Sequence, residues 1–218
     1  MKNLPTAALA VAALAVPALA IGGPASADHI QQGPGKSGDT YTASLDPVPN
    51  NHVDDASGDV TIALRGQSRV ATVTITTQGL LDSVHAQHIH VGALGQCPDA
   101  SDSTEHNGQL STSVLDAADK YGAIGTSLTT KGDTSPSSGL AIDRFPVQEG
   151  GAYTYERNVK LSQDTYDAIT SGESGVVVVH GIDYNGNGEY DFDSLGASEL
   201  DSSLPMEATA PALCGALN

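Results

Sequence analysis

Three of the chain's seven histidines fall within "HAQHIHVG", His85 to Gly92. Side chains alternate across an extended strand, so His88 and His90 face one side while Ile89 and Val91 face the other. Two imidazoles at that spacing can reach one metal ion; His85 is out of phase with them. H-x-H alone is a weak signal, because strand histidines at a surface are common. Two further histidines strengthen it. His180 ends the apolar run "GVVVVHG" (175–181), where a buried strand can hold it at the rim of a sheet. His106, in "STEHNG", follows across a loop that contains Cys97 and reads either as a further ligand or as a solvated loop residue. Neutral imidazole suits copper, zinc and iron, and an all-nitrogen set favours copper or zinc over magnesium or calcium.

A second pattern suggests an oxygen-liganded cation. In "DYNGNGEYDFD" (183–193), Asp183, Asn185 and Asn187 stand at spacing two, Gly188 follows, and Asp191 comes next among the acids after Glu189. That is the front half of a D-x-[DN]-x-[DN]-G calcium loop. The closing Glu at the twelfth position is Ser194, so a weak extracellular-type calcium site is one reading. An Asn-Gly-rich β-turn is the other.

The elements that must position these groups are mostly strands. "YTASL" (41–45), "GDVTIAL" (58–64), "RVATVTITTQ" (69–78), "VHAQHIHVG", "IGTSLTT" (124–130), "AYTYERNVKL" (152–161) and "GVVVVHG" are β-branched and largely period-two. In 69–78, Ala71, Val73, Ile75 and Thr77 share one face, and Val70, Thr72, Thr74 and Thr76 the other. "SQDTYDAITSG" (162–172) predicts the one short helix, with Ser162 as N-cap and Gly172 as its end. Residues 92–123 read as a long irregular region. Strands without a βαβ rhythm predict an all-β sandwich.

The N-terminus reads as an export signal. Lys2 precedes an apolar, Ala-rich run, and "ASA" at 25–27 is a small-x-small cleavage site. Two prolines interrupt the run and no basic flank follows it, which disfavours a membrane anchor. The expected organisation is a signal peptide at 1–27, a polar Gly-containing leader at 28–39 and a single domain at 40–218. The two cysteines, Cys97 and Cys214, then pair as a disulfide in an oxidising compartment. The formal net charge is −17, and loss of residues 1–27 with their one lysine makes the chain more acidic still. Such acidity argues against nucleic acid and anionic membranes as partners. There is no G-x-S-x-G, P-loop or dinucleotide fingerprint. A metal ion or small molecule is the expected partner, and no protein partner can be named.

"HIH" ending a strand, then a Cys, a lone His, "VVVHG" and a Cys followed by Gly ("LCGAL") resembles copper/zinc superoxide dismutase in order, with similar spacings. The resemblance implies a Greek-key antiparallel β-sandwich or flattened barrel with long loops. It implies His88, His90, His106 and His180 as copper ligands and Cys97–Cys214 as the intrachain disulfide. It departs from the family at the zinc site, since residues 107–130 contain no histidine and only Asp116 and Asp119. A full zinc site is therefore not expected, and a copper-only site is. The family's anion-attracting Arg, three residues before the second Cys, is Pro211 here; Arg144 or Arg157 would have to fill that role in space. "YTASLDPVPNNHVDDASGDVTIAL…HIHVGALGQ" and "TYDAITSGESGVVVVHG" are also similar to CHRD (chordin-type) domains, which share a similar sandwich. The two resemblances agree on fold and diverge on function. One implies copper-dependent superoxide chemistry; the other implies a non-catalytic extracellular binding or structural domain, which the calcium-type loop at 183–193 would stabilise.

Overall fold

The computed structural model describes residues 38–66, 68–172 and 175–218. The segment read as a signal peptide, and all of the leader but its last two residues, lie outside the described residues. Ten strands are described: β1 (Thr40–Pro47), β2 (Ser57–Arg65), β3 (Val70–Gln78), β4 (Gln87–Val91), β5 (Thr104–His106), β6 (Gln109–Ser111), β7 (Ala123–Ser127), β8 (Ala152–Lys160), β9 (Val176–His180) and β10 (Pro211–Ala216). Three short helices accompany them: α1 (Ala118–Tyr121), α2 (Gln163–Ser171) and α3 (Met206–Thr209). The fold is all-β, as expected, though two four-residue helices join the predicted one.

Eight strands form one curled antiparallel sheet in the order β7-β4-β9-β10-β1-β2-β3-β8. β1 turns the corner, pairing with β2 over Thr40–Leu45 and with β10 at Asp46 and Pro47. The chain leaves β3 for β4 in the other layer, then returns so that β8 lies beside β3 and β9 beside β4. Those long returns are Greek-key connections. Val60, Ile62, Ala71, Val73 and Ile75 from one layer meet Ile89, Val177, Val179 and Leu213 from the other in one buried cluster. Burying each of the Val, Ile and Leu side chains contributes about 1.5–3 kcal/mol.

The strand carrying "RVATVTITTQ" buries Ala71, Val73, Ile75 and Thr77 and leaves the alternate face more open, as its alternation requires. α2 begins at Ser162, whose hydroxyl accepts from the Thr165 amide, and ends at Gly172 with φ 84°. β10 and the β5–β6 hairpin are not apparent from sequence. "PALCGA" has no polar alternation because both of its faces are covered, and it is buried at five of its six positions. The hairpin strands are only three residues long, too short to show a period.

The outer face of the β4–β9 layer is not left to solvent. Val176 and Val178 pack there with Val48, Ala117, Tyr121 and Cys214. The Cys97–Cys214 disulfide joins this covering loop to β10, with Cα atoms 5.7 Å apart. None of the described helices is long and apolar enough to cross a membrane.

Candidate metal centre

The β4–β9 register brings three histidines together. His88 lies opposite Val178 and His90 opposite Val176. His180 is in phase with both valines, two residues beyond Val178 on the same strand, so its ring shares the outer face with His88 and His90. The backbone confirms the register one step further on, where the His180 amide donates to the Ala86 carbonyl at 2.8 Å. Ring centroids are 5.1 Å apart for His88–His180, 5.6 Å for His88–His90 and 5.8 Å for His90–His180. One nitrogen from each ring lies within 4.8 Å of the others, and among the described residues this is the one such cluster of His, Cys, Asp or Glu.

The second nitrogen of each ring identifies the tautomer. His88 Nε2 lies 3.1 Å from the Gly139 carbonyl, His90 Nδ1 2.9 Å from that of Gly122, and His180 Nδ1 2.7 Å from that of Thr209. A carbonyl only accepts, so each of those nitrogens donates its N–H. The proton-free nitrogens are then His88 Nδ1, His90 Nε2 and His180 Nε2. All three are buried and have no hydrogen-bond partner. A single buried acceptor left unpaired costs about 1–3 kcal/mol, so three directed at one another need a common explanation.

Burial also keeps the rings neutral. The His90 pKa falls to about 3, first through loss of hydration and then through the neighbouring His180. His180 falls to about 4, again mainly by burial. His88 lies well below its ordinary value through burial and the repulsion of His180 and His90. The arrangement is a set of three lone pairs held against protonation, with each opposite N–H fixed by backbone. Metal-bound histidines are oriented by such outer hydrogen bonds.

Three separate segments supply those carbonyls, and two of the three residues are glycines, one of them walled in by backbone. Gly122 follows α1 at φ 87°, and a Cβ there would stand 2.2 Å from the Val91 carbonyl oxygen. A Cβ on Gly139 would meet the Ile124 side chain at 2.7 Å. Tyr121 lies over His90 with ring centroids 4.4 Å apart. The triad forms one wall of a cavity of about 200 Å³, completed by Val114, Leu115, Ile124, Leu140, Ile142 and Leu200 among others.

Other expected site residues are elsewhere. His106 does not join the triad: its Nε2 meets Asp116 Oδ2 at 2.8 Å and Thr104 Oγ1 at 3.0 Å. Burial opposes ionisation of Asp116, but hydrogen bonds from the Ser113 amide, His106 and Thr104 outweigh it and lower its pKa. Neither candidate arginine reaches the cavity wall. Arg157 donates to the carbonyls of Thr129 and Gly132 at 2.7 Å each, and Arg144 donates to Ser138 Oγ at 2.9 Å. In the 183–193 loop, Asp183 accepts from the amides of Asn187 and Gly188. Asn185 and Asn187 turn their side-chain amides to the Asp191 carboxylate. The side-chain oxygens of Asn185 and Asn187 also accept, from the amides of Asn187 and Glu189, so the segment is closed by its own turn hydrogen bonds. Cys97 and Cys214 are paired as expected.

Sequence reasoning missed the residues that hold the triad. His85, out of phase, is fully buried, and its ring lies 2.8 Å from the carbonyls of both His180 and Leu81. It therefore braces the backbone of a triad residue. Gly122, Gly139 and Thr209 act through carbonyls, which no side-chain pattern reports. No family model matches the chain, and no curated protein matches it.

Proposed function

We propose that this is an exported metal-binding protein whose centre is copper held by His88 Nδ1, His90 Nε2 and His180 Nε2. The observation that carries the reading is the convergence of three unpartnered, buried nitrogens whose opposite N–H groups are all spent on backbone carbonyls. An ion bonded at about 2 Å would satisfy all three at once, after modest ring rotation. Imidazole ligands and the Irving–Williams order favour copper among divalent ions, and a disulfide suits an oxidising compartment where copper is encountered. Copper held this way would supply one-electron redox chemistry. The chain's own part is to orient the rings, keep them deprotonated and cover them with apolar residues.

The resemblance of "HIH", "VVVHG" and the two cysteines to copper/zinc superoxide dismutase supports this reading through the order of strands and histidines. Among the described residues no arginine or lysine lines the cavity to attract an anion, so the wall offers superoxide no electrostatic steering.

The test is metal analysis after copper loading and exhaustive dialysis. Wild type is expected to keep one copper per chain, His90→Ala to lose it, and His106→Ala to keep it. Wild-type protein that emerges metal-free sinks the proposal.

A further inference from the structure

The cavity over the triad has a composition that the metal site alone does not require. Among the described residues that line it there is no Asp, Glu, Lys or Arg. Besides the three histidines, the polar side chains in its wall are Tyr121 and Thr209. Both are already paired within the fold, Tyr121 with the Val114 carbonyl and Thr209 with Ser198 and the Met206 carbonyl. The rest is aliphatic. Leu115, Leu140 and Leu200 stand at the mouth and are 57%, 41% and 46% exposed. They are three of the seven large apolar side chains exposed among the described residues, gathered around one opening.

We infer that the cavity binds a small uncharged aromatic molecule that presents a single nitrogen or oxygen donor to the metal centre. The inference rests on the proposed copper site for its donor half. Size supports the aromatic half: an apolar cavity of about 150 Å³ is enough for benzene, and this one is about 200 Å³. Charge supports "uncharged". An ion entering an aliphatic mouth loses hydration and finds no countercharge in the wall, while Arg144 and Arg157 are spent on the 129–138 region. The single donor follows from the wall as well, since its polar side chains outside the triad, Tyr121 and Thr209, are already paired. A ligand with more polar atoms would bury some without partners.

Two arms test this with the full chain. In the first, copper-loaded protein of measured metal content is titrated with 4-phenylimidazole, imidazole and azide, read by the copper electron paramagnetic resonance spectrum. 4-Phenylimidazole is expected to bind at least tenfold more tightly than imidazole, and azide most weakly. Leu115→Asp and Leu200→Asp, both on exposed positions, should abolish that preference with copper content unchanged. Equal affinities for the two azoles, or tighter binding of azide, overturn the inference. In the second arm, toluene is added to metal-free protein and the methyl resonances of Leu115, Leu140 and Leu200 are followed. Shifts confined to the cavity support the inference. No shift, or a concentration-dependent dimer that Leu115→Asp dissolves, overturns it by making the apolar mouth a contact between copies. If copper is not retained in the first arm, the proposed metal site falls and the toluene arm alone decides occupancy of the cavity.

Discussion

His88, His90 and His180 each give one ring proton to a carbonyl and keep one bare nitrogen, and that division governs how they respond to acid. Their pKa values are lowered on folding, to about 3 for His90 and about 4 for His180. The unfolded chain, with histidines near 6.5, therefore takes up protons that the folded chain refuses. Their contribution to stability is fully present above pH 6.5 and is lost as pH falls from there toward 4 and 3. Each ring adds up to about 1.4 kcal/mol of stability loss per pH unit in that window. Urea midpoints measured from pH 7.5 to 4.5 should fall steeply, and His90→Gln should flatten the slope by one ring's share. Copper affinity of the folded chain should hold down to about pH 4 and fall below it, where protons begin to compete for the same nitrogens. Gly122 is the second residue with a sharp expectation. With φ 87° and the Val91 carbonyl in the way, Gly122→Ala should cost about 2 kcal/mol or more in chemical denaturation. Because its carbonyl orients His90, it should also weaken copper binding by about 10–100-fold, measured by competition with a chelator.

At the level of elements, the centre depends on two neighbouring strands and on what covers them. β4 and β9 present the rings, while the loop carrying Gly122, the turn at Gly139 and the end of α3 supply the acceptors. The Cys97–Cys214 bridge ties the first of these to β10. Crosslinking across 117 positions limits the unfolded chain, and the double Cys→Ser variant should lose about 4–5 kcal/mol in equilibrium unfolding. Its copper affinity should fall as well, read in the same chelator competition, because the Gly122 segment loses an anchor. Most strands could be read from their alternation, and α2 from Ser162 and Gly172, because local sterics and capping decide those features. β10 was not legible, since a strand covered on both faces loses the alternation that marks one. His106 could not be separated from the triad by sequence order alone. A loop residue's direction is set by its partners, here Asp116 and Thr104, and not by its distance along the chain.

For the whole molecule, the contrast is between an acidic exterior and an uncharged opening above the triad. The chain carries 26 acidic and 9 basic residues, yet none lines the cavity among those described. A ligand that binds only the folded chain stabilises it by mass action, about 4 kcal/mol at a thousandfold excess over its dissociation constant. For a chain of this size, that predicts a rise in Tm of roughly 10 °C on copper loading, measured by calorimetry. His180→Ala should show no rise. An unchanged Tm for wild type would mean that the triad does not bind copper in the folded protein.

By itself, the sequence determined that the chain folds as antiparallel strands, that His88 and His90 share a face, and that two cysteines suit an oxidising compartment. Those follow from side-chain alternation, β-branched composition and thiol chemistry, which act over a few residues. The tertiary structure decided which histidines meet, because strand register across β4 and β9 places His180 beside His88 and leaves His106 with Asp116. It also decided the tautomers, since the acceptors are backbone carbonyls of Gly122, Gly139 and Thr209, brought from distant segments. Pairing between strands and the reach of a loop are long-range choices, made by packing of the whole core and written in no single stretch of the chain.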